Sequence, residues 1–444
     1  MTRTAIIAGG SIAGLASAKA LSAIFDRVLV LEPDQIENGN VARKGTPQAN
    51  HVHGLLKGGG DALTEIFPGL PEHLERAGAV SCNFSNEVRW YINEKWMPRF
   101  EGSLTIYFQT RPLLENCLRE EVRALPNVEL IHECRVEDFL LDDAHRRVAA
   151  AVVRLENGAK ETLPGDFFVD AMGRGSFFPR WLKREGFGEV PEDHIKVNLG
   201  YASCLLELPD EARDWKSILI YPKGPSEIRG STLVRVENGK WLLTLAGYHN
   251  EHPPADIEGF LAFAKSLPRP DIYEAVKNAK ILSDIRLHKF PYGQWRHYDD
   301  LPDFPLGILP VGDTNTSLNP LFGQGMSVTA LSVVALARSI GGVTFDSIET
   351  MAHIKNSYFL ELRKIFATPW DLALGQDFRY PETIGKKPFG LKLKNSLKSI
   401  IMGSSSIDII ERFYQIVHLV EKERTLYHPK WVWKYLSAGF KRTG

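Results

Sequence analysis

Cysteine is scarce in this sequence. The 444 residues hold four, Cys82, Cys117, Cys134 and Cys204, with no CxxC and no Cys/His cluster at metal-ligand spacing. A disulfide scaffold is excluded at this size, no metal site is expected, and reduced cytosolic thiols are the default. An excess of charge is also missing, since 53 Lys+Arg face 54 Asp+Glu for a formal charge of -1. Binding a phosphate backbone needs a clear basic excess, so nucleic acid is excluded as the main partner. No window reaches eighteen uninterrupted apolar residues, so no membrane-spanning helix is expected. The start of the chain, with Arg3 ahead of Ala5-Ile6-Ile7-Ala8, has the outline of a signal peptide. Gly9, Gly10 and Gly14 interrupt that run and a second strand-like run, Val28 to Leu31, follows. The expected location is therefore cytoplasmic.

What is present is ordinary globular composition, 44% hydrophobic and 24% charged, which excludes wholesale disorder. Single cores stop growing near ~250–300 residues, so two closely joined domains and an extension are expected.

Thr4 to Ala8 is a short apolar run bounded by glycines, as in a buried parallel strand. Ser11 to Phe25 reads as a helix and Arg27 to Leu31 as the second strand. Between them lies Gly9-Gly10-Ser11-Ile12-Ala13-Gly14, a GxGxxG pattern with Ser11 at the middle glycine. Gly9 serves the tight turn, Gly14 the close helix–strand approach, and the small Ser11 keeps room for a pyrophosphate at the helix N-terminus. Glu32 follows 18 residues after Gly14, placed to hold an unphosphorylated ribose. FAD or NAD, rather than NADP, is the expected dinucleotide.

Two later motifs favour FAD by resemblance. Phe167-Phe168-Val169-Asp170-Ala171-Met172-Gly173-Arg174-Gly175-Ser176 resembles the DxxGxxS segment of glutathione-reductase-type flavoprotein monooxygenases. Gly307 to Asp313 resembles their strand ending in Gly312-Asp313, whose aspartate holds the ribityl chain. Asn319-Pro320-Leu321-Phe322-Gly323-Gln324-Gly325-Met326 then opens a helix to about Ile340, set in that family against the flavin pyrimidine. Unsatisfied N–H groups at a helix start favour the negative charge of a reduced flavin.

Arg43-Lys44-Gly45-Thr46-Pro47-Gln48 through His51-Val52-His53-Gly54-Leu55-Leu56 is similar to a loop of bacterial polyene and polyether flavin epoxidases. Thr110-Arg111-Pro112-Leu113-Leu114-Glu115 and the stretch from Pro369-Trp370-Asp371 to Arg379-Tyr380-Pro381-Glu382-Thr383 are like the same relatives. The resemblance implies FAD contacts from Gly9, Gly10, Ser11, Ala13, Gly14, Glu32, Arg43, Lys44, Arg111, Asp170, Gly173, Gly312, Asp313, Gly323, Gly325 and Met326. His51, His53, Asn319 and Pro320 are the catalytic candidates. Both histidines read first as hydrogen-bonded loop residues and second as proton-handling groups near the flavin.

The implied fold is α/β: a Rossmann-like FAD-binding domain (1–80, 110–194 and 286–375), an inserted, mostly antiparallel β substrate domain (81–109 and 195–285) and a helical basic extension (376–444). Trp90, Trp96, Tyr107, Tyr221, Trp241 and Phe322 are candidate linings for an apolar or unsaturated substrate, with plain core as the alternative for each. The implied activity is that of an FAD monooxygenase. It would transfer one atom of O2 through a flavin C4a-hydroperoxide, epoxidising an alkene or hydroxylating an electron-rich ring. No second dinucleotide fingerprint is present, so NAD(P)H bound transiently or a separate flavin reductase would supply electrons. Trp90-Tyr91-Ile92 and Trp96-Met97-Pro98 do not reproduce the WxWxIP motif of flavin halogenases. An isoprenoid-type flavin reductase and a non-catalytic escort or carrier protein are the competing functions on this fold.

The neutral total conceals an uneven distribution. Residues 385–444 carry 12 Lys+Arg against 4 Asp+Glu, leaving -9 on the rest. Contact with a membrane surface or an acidic carrier protein is one reading of this tail, and a helical cap on the body is the favoured one.

Overall fold

The computed structural model describes residues 2–36, 39–343, 345, 347–403 and 406–427. The first two apolar runs form the strands Thr4–Ala8 and Arg27–Leu31, joined by the helix Ile12–Ser22. They belong to a five-stranded parallel sheet in the order Ile308–Pro310, Phe167–Asp170, Thr4–Ala8, Arg27–Leu31, Val128–Ile131. Ala5, Ile6, Ile7 and Ala8 are buried in the middle of it, which accounts for a run with no polar alternation. The helix Ile12–Ser22 packs between the sheet and the helices Arg111–Arg123 and Gly325–Ile340. An antiparallel meander, Arg135–Leu141, Val148–Arg154 and Lys160–Pro164, precedes Phe167. The architecture is the Rossmann-like α/β arrangement expected.

A second, larger sheet runs in the order Thr316–Ser317, Arg286–Arg296, Glu192–Glu207, Trp241–Gly247, Arg229–Arg235, Ser217–Ile220, Val88–Ile92, Lys95–Trp96. Its neighbours are antiparallel except Ser217–Ile220 with Val88–Ile92. The structure differs from expectation where two segments, Arg286–Arg296 and Thr316–Ser317, join this sheet. Arg286–Arg296, which the sequence assigns to the dinucleotide domain, pairs along Glu192–Glu207 from Arg296 to Arg286. Its exposed and buried residues alternate too loosely for the sequence to reveal a sheet partner about 90 residues away.

The helix Ile348–Asp377 follows Gly325–Ile340 and packs on it. Leu391–Gly403 and Ile407–Val417 come next. The latter buries Ile409, Ile410, Phe413, Tyr414 and Ile416 against Phe84, Trp90 and Ile106, so this part of the extension is a cap on the body. Each such side chain contributes about 1.5–3 kcal/mol on full burial. The tail residues 428–444, on which membrane or carrier contact depends, lie outside the described residues. No helix among the described residues is long and apolar enough to cross a membrane.

Candidate functional site

The Gly9–Gly14 turn leaves the first strand at the carboxyl edge of the parallel sheet, where a groove of about 580 Å3 opens. Gly9 has φ +109°, and a Cβ there would meet Ala171 O at 2.5 Å. A Cβ on Gly14 would lie 1.8 Å from Gly9 O, so the turn closes only with glycine at both places. Gly14 works from behind; Gly9, Gly10, Ser11 and Ala13 line the groove.

One wall is an ionic lattice. Glu32 Oε2 accepts from Gly10 N at 2.8 Å and Oε1 from Asp34 N at 3.0 Å, while Arg43 Nη1 lies 3.0 Å from Oε1. Arg43 Nη2 donates to Glu115 Oε2 at 3.0 Å. Arg111 Nε donates to Glu115 Oε1 at 2.9 Å, and Ser11 Oγ donates to the same oxygen at 2.7 Å. Burial pushes the Glu115 carboxyl up, but the charges of Arg111 and Arg43 and the Ser11 bond outweigh it and hold it at about 2. The sequence gives Glu115 no role of its own; its spacing of one helical turn from Arg111 is the signal that could have found it. Lys44 does not line the groove, unlike its neighbour Arg43.

The loop carrying Arg43 crosses the groove and is held at its far end by Val52 N donating to Thr244 Oγ1 at 3.0 Å and Leu56 N donating to Ser327 Oγ at 3.0 Å. His51 is buried with Nδ1 2.7 Å from Ser203 Oγ, its ring edge-on to Tyr201 at 4.5 Å. Burial and the nearby His288 depress it to about 3. His53 sits between His51 O, 2.9 Å from Nδ1, and Arg111 Nη1, 3.3 Å from Nε2, and burial followed by the Arg111 charge depresses it to about 3. Both histidines line the groove as hydrogen-bonded neutral rings. Tyr201, His288 and Phe290 from the large sheet complete this wall.

The opposite end is formed by Gly173, Arg174, Asp313, Pro320, Gly323, Gly325 and Met326. Burial raises the Asp313 carboxyl, opposed by the charges of Arg111 and Arg174. Gly325 opens the helix Gly325–Ile340 with no atom within 4 Å of where a Cβ would stand. Helix N–H groups at this mouth suit an anionic or polar ring edge.

The expected contacts Asp170 and Gly312 and the catalytic candidate Asn319 also sit behind the groove surface. Asp170 is wholly buried, accepting from Met172 N at 3.0 Å and Ser176 Oγ at 2.6 Å, with burial raising it to about 6. It shapes the turn that presents Gly173 and Arg174. Gly312, at φ +68°, packs against Thr329. Asn319 Nδ2 donates to Tyr248 Oη at 3.0 Å and to Asp377 Oδ1 at 2.8 Å, anchoring the turn that carries Pro320.

Of the aromatic candidates, Trp90, Tyr221 and Phe322 meet around a second, smaller cavity. The other three do not. Trp96 lies at the sheet edge under the Arg89 guanidinium, 4.7 Å from its centroid. Tyr107, on a separate two-stranded sheet, donates its Oη–H to Glu75 at 2.9 Å. Trp241 packs on Trp215 in the core beneath Ile257–Lys265. Strand alternation does not separate a pocket face from a core face, which is why these three fall elsewhere. Among the described residues, no group of three or more His, Cys, Asp or Glu could hold a metal ion.

No family model matches the chain. Protein Rv3254 of Mycobacterium tuberculosis (strain ATCC 25618 / H37Rv) is 31% identical over 346 residues, covering 76% of this chain and 72% of that one. The chain belongs to that protein's family. The 6-hydroxy-3-succinoylpyridine 3-monooxygenase HspB of Pseudomonas putida (strain DSM 28022 / S16) is 23% identical over 378 residues, 78% of this chain and 81% of its own. Among solved structures, the flavin-dependent brominase Bmp2 superposes with a TM-score of 0.66 at 15% identity, covering 94% of this chain and 93% of its own. The fold of this family member is thus the one shared by flavin-dependent monooxygenases and halogenases.

Proposed function

We propose that the chain is an FAD-dependent monooxygenase that adds one oxygen atom from O2 to an apolar, unsaturated small molecule, with epoxidation favoured over ring hydroxylation. The observation that carries this reading is one continuous groove joining the Gly9–Gly14 turn, the Glu32–Arg43–Glu115–Arg111 lattice, Asp313 and the N-terminus of Gly325–Ile340. A dinucleotide needs these donor types in this order, and the open space over Gly325 is a cradle a side chain would fill. The turn at Gly9–Gly14 would take the pyrophosphate, Glu32 the adenosine ribose, Asp313 the ribityl chain and Gly325–Met326 the pyrimidine edge. Bound and reduced, FAD supplies the electrons that activate O2 for transfer of one atom to a double bond or electron-rich ring.

The chain's own work is positioning and exclusion of water. Arg111 and Arg174 place positive charge beside Asp313, and the helix start adds N–H donors for developing negative charge. His51 is neutral above about pH 3, and burial raises the Tyr201 hydroxyl, so this wall is uncharged near neutrality. The loop from Arg43 to Leu56 covers the groove against water. Electrons would come from NAD(P)H bound transiently or from a separate flavin reductase.

The likeness to a brominase favours a halogenase as second reading. Against it, the WxWxIP motif is missing and no lysine lines the groove among the described residues. Oxygen uptake by the reduced protein across polyenes and phenols tests the proposal. Uptake coupled to an oxygenated product is expected; no uptake with any of them, or a halide requirement, would overturn it.

A further inference from the structure

The second cavity lies across the Pro320–Phe322 turn from the groove: Phe322 and Gln324 line it, while Pro320 and Gly323 line the groove. Part of its wall is aromatic, with Trp90 edge-on to Tyr221 at 5.5 Å and stacked with Phe413 at 6.0 Å, and Gln324, Gln376, Asn395 and Lys398 supply the polar part. Within that wall three buried polar atoms have no hydrogen-bond partner, Trp90 Nε1, Gln324 Oε1 and Asn395 Oδ1. Trp90 and Gln324 are only 3% and 2% exposed. Asn395 Nδ2 donates to Gly375 O at 2.8 Å, which fixes its amide with the oxygen free. Buried polar groups in native proteins are almost always paired, so three orphans around one cavity mark a place where water or a ligand completes the bonding.

We infer that this cavity receives the polar end of the substrate, and that this end is an uncharged group donating more hydrogen bonds than it accepts, a primary carboxamide being the fullest match. The three unpaired atoms are one donor and two acceptors, the complement of a carboxamide's one oxygen and two N–H bonds. A carboxylate offers acceptors only, and would face the oxygens of Gln324 and Asn395. Lys398 offsets this only in part, because its ammonium is paired with Glu423 at 3.0 Å, both side chains are buried, and the pair brings no net positive charge to the cavity. A hydrocarbon end leaves all three atoms unpaired.

The cavity measures about 50 Å3. A cavity of ~150 Å3 holds benzene, so admitting a ring requires the helices Leu391–Gly403 and Ile407–Val417, which supply Asn395 and Phe413, to be displaced outward. Calling the ligand a substrate rests on the oxygenase reading; the binding preference rests on the cavity alone.

The test is calorimetric titration of the full-length protein with benzamide, benzoate and ethylbenzene, with FAD content read from visible absorbance. Benzamide should bind about tenfold or more tighter than either, as one or two charge-free hydrogen bonds allow. Gln324→Leu and Asn395→Leu should each cut the benzamide-to-ethylbenzene preference about tenfold. Asn395 lies on a peripheral helix, so its variant reports even where Gln324→Leu does not fold. Equal affinities, a preference for benzoate, or no binding of any probe overturns the inference. Flavin-free protein with the benzamide preference sinks the oxygenase reading and spares the cavity; flavin-loaded protein without it does the reverse.

Discussion

Glu115 Oε1 accepts from Arg111 Nε at 2.9 Å, one turn away on the helix Arg111–Arg123, and Glu115 Oε2 accepts from Arg43 of the covering loop. One buried carboxylate thereby ties a helix of the dinucleotide domain to the loop that closes the groove. Glu115→Gln keeps the shape and removes the charge, leaving Arg111 without its ion pair and Arg43 with only Glu32 and Asp34. Breaking such a buried pair costs about 3–5 kcal/mol. Chemical denaturation should show a loss in that range together with weaker FAD uptake. A change below about 1 kcal/mol would show that the lattice is ornamental.

Asp313→Ala should lower FAD affinity. A hydrogen bond to a charged group contributes about 1.5–3 kcal/mol, or roughly ten- to 150-fold in Kd. Fluorescence titration of released FAD back into the variant reads this directly. Unchanged affinity would move the ribityl contact elsewhere.

Gly14→Ala places a Cβ 1.8 Å from Gly9 O, inside a turn with no room to give. Soluble expression and FAD content should both fall sharply. Gly39→Ala, where no atom lies within 4 Å of the added carbon, is the milder comparison, although its φ of +96° carries its own backbone strain.

Two sets of groups pull stability in opposite directions with pH. Burial holds His51, His53 and His418 at about 3, whereas histidine in an unfolded chain titrates near ~6.5. The unfolded state therefore binds more protons below that value, and this contribution to stability is lost as pH falls from about 6.5 toward 3. His51→Gln should flatten part of that loss in melting temperatures measured from pH 7 down to pH 4.

Asp377 behaves the other way. Burial raises it to about 7 against the Asn319 and Tyr248 bonds, from an ordinary value of 3.8. The folded state binds the extra proton, so stability declines as pH rises from about 4 through 7. Asp377→Asn removes this slope, and the variant should compare more favourably with the native chain at pH 8 than at pH 5. Parallel melting curves for the two proteins across that range would show that Asp377 does not titrate there.

Much of the groove was legible because its parts are local. The strand–turn–helix around Gly9–Gly14, the strand Ile308–Pro310 leading to Asp313 and the helix from Gly325 each announce themselves within a dozen residues, through glycine placement and hydrophobic period. What stayed hidden depends on distant partners. Glu115 gains its role only when Arg43, 72 residues away, folds onto it. Asp377 matters because a helix end meets Asn319 and Tyr248. Trp241 and Trp90 carry the same strand signal, yet one packs under Ile257–Lys265 and the other borders a cavity. Which face of a sheet a neighbour covers is a tertiary fact. Periodicity does not contain it.

The groove's assignment is tested most directly by titrating FAD into flavin-stripped protein and following visible absorbance. The expected result is saturation at one FAD per chain, with affinity falling in Asp313→Ala and Glu115→Gln. The absence of saturable binding, or saturation untouched by both substitutions, would contradict it.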